Sequence, residues 1–249
     1  MQSTIYASVY GGLGNQLFMI ATAIAYSKKY NKKLHCFYNP IDARDNYCGL
    51  PVGVPISSYY DFIYNEPSFS YKEIPYFENN FLINGYFQSS KYFSKEIIDS
   101  INIPKTADYA FPVIPDGKTP VCIHVRRTDY LNSDFHPTSS NEYYALAIAL
   151  IRKRVSNPYF LIFSDDIEYV TTNTLGDICE NERVIIDKRD IDCINIMKEC
   201  KYFIIANSSF SWWGAMMGGY NLVIAPKKWF GKDGPQDWQD IYEPDWIII

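Results

Sequence analysis

From Val121 to Ala225 short apolar runs and helix-length segments take turns without a break, and that rhythm restricts the fold more than any other feature of the chain. Strands are expected at Val121 to Val125, Tyr159 to Phe163, Arg183 to Ile186, Tyr202 to Ala206 and Leu222 to Ala225. Between them lie helices at Glu142 to Val155, Ile167 to Leu175, Ile191 to Cys200 and Trp212 to Gly218. Strands alternating with helices of this length favour a parallel sheet covered on both faces, so the fold class is α/β. The first hundred residues are less regular. A strand at Ile5 to Tyr10, a glycine turn at Gly11 to Gly14 and a helix at Asn15 to Tyr30 with Leu17, Ile20, Ala21 and Ile24 on one face open the chain. Strands at Leu34 to Tyr38 and Phe81 to Phe87 and a helix at Lys91 to Ser100 follow, with loops and short helices expected from Pro40 to Pro75. The proline-bearing, aperiodic stretch Asn102 to Lys118 marks the boundary between an N-terminal lobe, 1–104, and a C-terminal lobe, 105–249, sharing a cleft.

At 249 residues either lobe arrangement can bury a sizeable core. A net charge of -5 and a pI near 5.2 give no electrostatic reason to bind nucleic acid or an anionic membrane, so an anionic ligand must be held by a local cluster. Six cysteines without a CxxC pair argue against a zinc site and a compact disulfide framework, and favour reduced thiols. The first residues read neither as a signal peptide nor as an anchor, and no run reaches the roughly 18 apolar residues of a membrane span. The reading is therefore a soluble, cytoplasmic protein.

Three polar clusters each follow an apolar run: HVRRTD at His124 to Asp129, SDD at Ser164 to Asp166, and NSSFSWW at Asn207 to Trp213. In a parallel sheet the carboxyl ends of the strands share one edge, so these clusters converge on one crevice. Strand alternation puts His124 and Arg126 on one face and Arg127 on the other, where it pairs with Asp129. An arginine there suits bidentate phosphate binding, because its planar fork matches two oxygens and keeps its charge; the bland alternative is an ion pair closing the strand. Either SDD carboxylate can cap the next helix while the other faces the crevice. Ser208, Ser209 and Ser211 at a helix amino end form a natural phosphate seat, with Trp212 and Trp213 as core. GGLGNQ at Gly11 to Gln16 lets backbone N–H groups approach a phosphate, although Leu17 stands where a dinucleotide fingerprint has its third glycine. Asp190-Ile191-Asp192 spells a DxD, read here as helix capping rather than a metal site.

Taken in order, GGLGNQLF, GYFQ at Gly85 to Gln88, HVRRTDY, FSDD and NSSFSWWGA resemble the signature of the family 11 fucosyltransferases, chiefly α-1,2 enzymes with α-1,6 and protein O-fucosyltransferase kin. The resemblance implies a GT-B-like fold of two Rossmann-type lobes, an acceptor-side N-terminal lobe and a donor-binding C-terminal lobe. It implies L-fucose transfer from GDP-β-L-fucose with inversion, to a glycan hydroxyl, α-1,2 on a galactose-type acceptor, with α-1,6 or another linkage, or a non-catalytic GDP-sugar or glycan binder, as alternatives. No metal or other cofactor is implied; the partners are GDP-fucose and a glycan acceptor, with no nucleic acid. Arg126 matches the residue that grips the pyrophosphate. Gly12, Gly14 and Asn15 match the loop beside it, His124 and Asp166 groups near the guanosine, and Ser209, Phe210 and Ser211 the phosphate and nucleoside contacts. Asp134 matches a carboxylate candidate for the base, alongside Asp129 and His136. Thr128 stands where the α-1,2 group commonly has glycine.

Overall fold

A computed structural model of the chain describes residues 2–41, 44–53, 57–173 and 175–249. Residues 42–43 and 54–56 of the expected loop region, and Thr174 near the end of the expected Ile167 to Leu175 helix, lie outside the described residues. The chain divides into two compact units, Met1–Ile103 with Asp237–Glu243, and Pro104–Gln236 with Pro244–Ile249.

The first unit is built on four parallel strands, β1 (Thr4–Val9), β2 (Lys33–Tyr38), β3 (Phe62–Asn65) and β4 (Phe81–Asn84), in the order β2-β1-β4-β3. Helix α1 (Leu13–Tyr30) covers the sheet. It buries more than the single stripe the spacing predicts, with Phe18, Met19, Ala23 and Tyr26 enclosed beside Leu17 and Ala21. Asn31 stops it in the left-handed conformation, φ 49°, with Lys28 and Lys29 in the last turn where cations favour the helix dipole. A short helix α2 (Lys95–Ser100) follows β4. Asp237–Glu243 completes this unit: Ser70 Oγ donates to the Asp237 carbonyl at 2.5 Å, Tyr71 N to Asp240 Oδ2 at 2.8 Å, and Lys91 Nζ pairs with Asp240 at 2.5 Å.

The second unit holds six parallel strands, β5 (Thr119–Val125), β6 (Pro158–Ser164), β7 (Arg183–Ile186), β8 (Tyr202–Ile204), β9 (Leu222–Ala225) and β10 (Ile247–Ile248). Their order, β10-β9-β8-β5-β6-β7, read from the other edge is the 3-2-1-4-5-6 order of doubly wound nucleotide-binding sheets. The intervening helices are α3 (Asn141–Arg154), α4 (Ile167–Thr172), α5 (Asp190–Met197) and α6 (Ser209–Gly218). Val121, Ile123, Phe160, Ile162 and Ile204 form a fully buried core with Ala147, Ile148 and Ile151 of α3. A strand buried on both faces reads as a continuous apolar run, which is why these strands were visible in the sequence. Trp212 and Trp213 are fully buried, as core residues of α6. Two buried tyrosines tie α3 to the sheet: Tyr144 Oη donates to the His124 carbonyl at 3.0 Å, and Tyr143 Oη to those of Ile205 and Ile224 at 2.6 and 3.0 Å. No described helix is long and apolar enough to cross a membrane. All six cysteines are unpaired.

Candidate active site

Strand order decides where the polar clusters meet. In the second unit the chain runs outward from β5 through β6 to β7, then returns to lay β8 on the other side of β5. Beyond the carboxyl ends of β5 and β8 the connections diverge, and that divergence leaves the crevice where such sheets bind ligands. HVRRTD leaves β5 there, NSSFS leaves β8, and SDD leaves the neighbouring β6.

His124, the penultimate residue of β5, is only 4% exposed, and its Nδ1 lies 2.9 Å from Ser211 Oγ of α6. The Phe210 ring sits 5.6 Å away, tilted. Burial, reinforced by the charge of Arg126 and opposed by Asp165, pushes the imidazole down to about 3, so it is neutral near pH 7. His124 therefore joins strand to helix without carrying charge.

Arg126 lies just past the strand. Its Nη2 donates to Asp129 Oδ2 at 2.7 Å and its Nε lies 3.3 Å from Asp165 Oδ2. Burial opposes its charge, but the Asp129 and Asp165 carboxylates outweigh burial and hold the guanidinium above its ordinary value. The guanidinium also lies over the Tyr130 ring, 5.5 Å from its centre. Asp129 was expected to pair with Arg127; its partner is Arg126. Strand geometry ends at Val125, and Arg127, with φ -140° and ψ -57°, turns the chain out of alternation. The Arg127 side chain instead meets Asp166 at 3.2 Å and stacks on Tyr169 at 3.5 Å.

Asp165 is the hub that residue spacing does not disclose. It accepts Arg127 N at 2.8 Å, Thr128 N at 3.0 Å and the Thr128 hydroxyl, besides facing Arg126. Thr128 thus uses its side chain to fix Asp165. Asp166 caps α4 through Tyr169 N at 2.9 Å as well as pairing with Arg127. Both SDD carboxylates consequently hold the crevice wall.

Ser209 and Phe210 form the first turn of α6, whose N-cap Ser208 accepts Phe210 N at 3.4 Å. Ser211 is fully buried, its hydroxyl turned inward to His124 and to the Ser208 carbonyl. Asn207 Nδ2 bridges the carbonyls of Pro137 and Trp229 at 2.9 Å each, and its own carbonyl accepts Tyr130 Oη at 3.2 Å. His136 stacks on Tyr130 with ring centres 4.7 Å apart and planes within 9°. Burial lowers its basicity, with Asp129 opposing and Arg126 adding to the shift. Asp134, 64% exposed at its side chain, pairs with Lys232 at 2.8 Å.

Gly12, Gly14 and Asn15 belong to the first unit, at the equivalent point of its sheet, since β1 is flanked by β2 and β4. Gly11 takes φ 80°, a conformation that favours glycine, and Gly12 caps α1 without a side chain. The first amides of α1 have no acidic side chain in their turn, which leaves the helix end suited to an anion. GYFQ supplies the support here. Half-buried Glu66 accepts Tyr86 N at 2.8 Å and Phe87 N at 3.0 Å, and Gln88 Nε2 then donates to Asn15 Oδ1 at 2.8 Å.

The DxD does other work. Asp192 is buried and accepts both N and Oγ1 of Thr106, at 3.1 and 2.5 Å, fastening the start of the second unit to α5. Among the described residues, no three His, Cys, Asp or Glu side chains gather closely enough to hold a metal ion.

The model of glycosyl transferase family 11 matches residues 56–249. An α-1,2-colitosyltransferase of Escherichia coli is 28% identical over 93% of this chain and 94% of its own length. The O-antigen biosynthesis glycosyltransferase WbnK, also of Escherichia coli, is 28% identical over 71% of this chain and 62% of its own. Among solved structures, NodZ α-1,6-fucosyltransferase soaked with GDP-fucose aligns with a TM-score of 0.56 and 12% identity, covering 95% of this chain and 97% of the other. That likeness is one of fold, and it agrees with the GT-B-like class of two parallel-sheet units expected from the sequence.

Proposed function

Since the chain belongs to glycosyl transferase family 11, we propose that it moves L-fucose from GDP-β-L-fucose to a glycan hydroxyl with inversion, forming an α-1,2 linkage to a galactose-type acceptor. The observation that carries this reading is Arg126, fixed beyond β5 at the switch point of a nucleotide-binding sheet, beside the helix whose Ser211 bonds His124. Guanidinium has five N–H donors. Asp129 and Asp165 engage Nη2 and Nε, which leaves the donors of Nη1 for phosphate oxygens.

As the glycosidic bond breaks, negative charge grows on the β-phosphate. Donors already aimed at that charge lower the barrier, and losing one typically costs on the order of 100- to 1,000-fold in rate. Arg126 fills this role, the amino end of α6 adds its dipole field, and His124 with Ser211 holds that helix to β5. In the first unit, Gly12, Gly14 and Asn15 form a second anion seat. The second unit acts as the donor lobe and the first unit, with Asp237–Glu243, as the acceptor lobe. Asp129, Asp134 and His136 are the candidates for receiving the acceptor proton; of these Asp129 is tied to Arg126 and Asp134 to Lys232. The NodZ complex with GDP-fucose supports the donor, and the α-1,2-colitosyltransferase supports the linkage.

That relative also favours a second reading in which the transferred sugar is colitose, which is L-fucose without its 3-hydroxyl. The test is GDP release from GDP-fucose and, separately, from GDP-colitose, with galactose-terminated acceptors, a water control and EDTA in parallel. Acceptor-dependent release with GDP-fucose, lost on the order of 100- to 1,000-fold in Arg126→Ala, is the expected result. Release with GDP-colitose alone would replace the sugar, and full activity in Arg126→Ala would remove the phosphate assignment.

A further inference from the structure

The loop from Tyr130 to His136 displays apolar side chains where a site rim would ordinarily be polar. Leu131 and Phe135 remain 45% and 41% exposed. Phe135 presents its edge to Phe230 and His136, with ring centres at 5.5 and 4.6 Å. His136 in turn stacks on Tyr130, and Tyr130 lies under Arg126. A continuous chain of rings therefore links the guanidinium to an exposed aromatic side chain within the reach of a short oligosaccharide.

This display is built into the backbone. Leu131 N donates to the Arg127 carbonyl at 2.8 Å, Ser133 N to that of Tyr130 at 3.2 Å, and His136 N to Ser133 Oγ at 3.0 Å. From the other side Gly231 N donates to the Phe135 carbonyl at 2.8 Å. The approach is so close that a Cβ on Gly231 would lie 2.1 Å from the Asp134 carbonyl oxygen. Phe135 is thus held outward by bonds on both sides of it. A rigid apolar face beside the exposed carboxylate of Asp134 matches a pyranose ring, which has a C–H face for stacking and hydroxyls at its edge for hydrogen bonds.

We propose that Leu131 and Phe135 form a platform for a sugar ring of the acceptor glycan, so that the second unit takes part in acceptor recognition. The proposal rests on the reading that Arg126 holds the donor diphosphate. Its test compares wild type, Phe135→Ala, Phe135→Trp and Leu131→Ser, using lactose and lacto-N-biose as acceptors and measuring GDP affinity separately by titration. Phe135→Ala and Leu131→Ser should raise the acceptor KM about tenfold with GDP affinity unmoved, while Phe135→Trp keeps the wild-type KM. Unmoved acceptor KM in both truncations of an otherwise active enzyme overturns the platform alone. If Phe135→Ala alters oligomeric state without moving KM, the surface belongs to a second copy of the chain and the platform is again overturned. Wild-type protein that fails to bind GDP, or binds it and transfers to neither acceptor, overturns the functional reading beneath it.

Discussion

A buried histidine beside an arginine is a charge-management problem, and His124 resolves it by staying neutral. In the unfolded chain it titrates near its ordinary 6.5, and in the fold near 3. Between these values the unfolded state binds the extra proton, so the stability this site contributes is present above about pH 6.5 and falls as pH drops towards 3. One proton corresponds to about 1.4 kcal/mol per pH unit. Urea titrations at pH 7, 6 and 5 should show wild type losing stability more steeply than His124→Gln; equal slopes would mean the imidazole is free to charge. The site residues differ in how far the sequence discloses them. His124, Arg126 and Asp129 are neighbours in one motif, and their chemistry can be read directly. The bonds from Asp165 to Thr128 and from Ser211 to His124 join elements distant in sequence, and no local spacing announces them.

At the scale of elements, the loop carrying Phe135 and the segment Phe230 to Gly234 are docked through glycine. Gly231→Ala would push the new methyl into the Asp134 carbonyl, so the two segments must part. The expected cost is about 1–3 kcal/mol of unfolding free energy, the range typical of overpacking, accompanied by a higher acceptor KM. An alanine variant of wild-type stability would show that this contact is loose. The elements legible in the sequence were those with a complete signature. The core strands β5, β6 and β8 each carry an unbroken apolar run, Val121 to Ile123, Phe160 to Phe163 and Phe203 to Ile204, and α3 has a Ser140 cap that accepts Tyr143 N at 3.2 Å. Strand β3 was not anticipated, because four residues at a sheet edge bury only alternate side chains partway, among text rich in tyrosine and serine. Strand β10 is two residues long, too short for any period to appear. The α6 helix begins at Ser209, ahead of the expected Trp212, because Ser209 and Ser211 keep the apolar run from starting before Trp212.

Over the whole molecule, a net charge of -5 repels a nucleoside diphosphate on average, so the proposed affinity for GDP would depend on donors fixed in place by the fold. Binding to the folded state alone should then stabilise it. GDP at about 100 times its Kd contributes about 2.7 kcal/mol, which for a chain of this size raises the Tm by about 5–10 °C. Thermal melts with and without GDP check this, and Arg126→Ala should show a much smaller rise; an equal rise would place the nucleotide elsewhere. The α/β class was legible because strands and helices alternate, but strand order was not, since periodicity does not say which strand lies beside β5. Nor does the local pattern of Asp237–Glu243 reveal that it completes the first unit, where Asp240 meets Tyr71 N and Lys91. That return has a consequence during synthesis. On a chain emerging amino end first, Lys91 must wait for a partner 149 residues downstream and Tyr71 for one 169 residues downstream. The unit that leaves the ribosome first is therefore among the last to be completed, and a nascent chain halted before Asp237 would carry an unfinished first unit for chaperones or proteases to find.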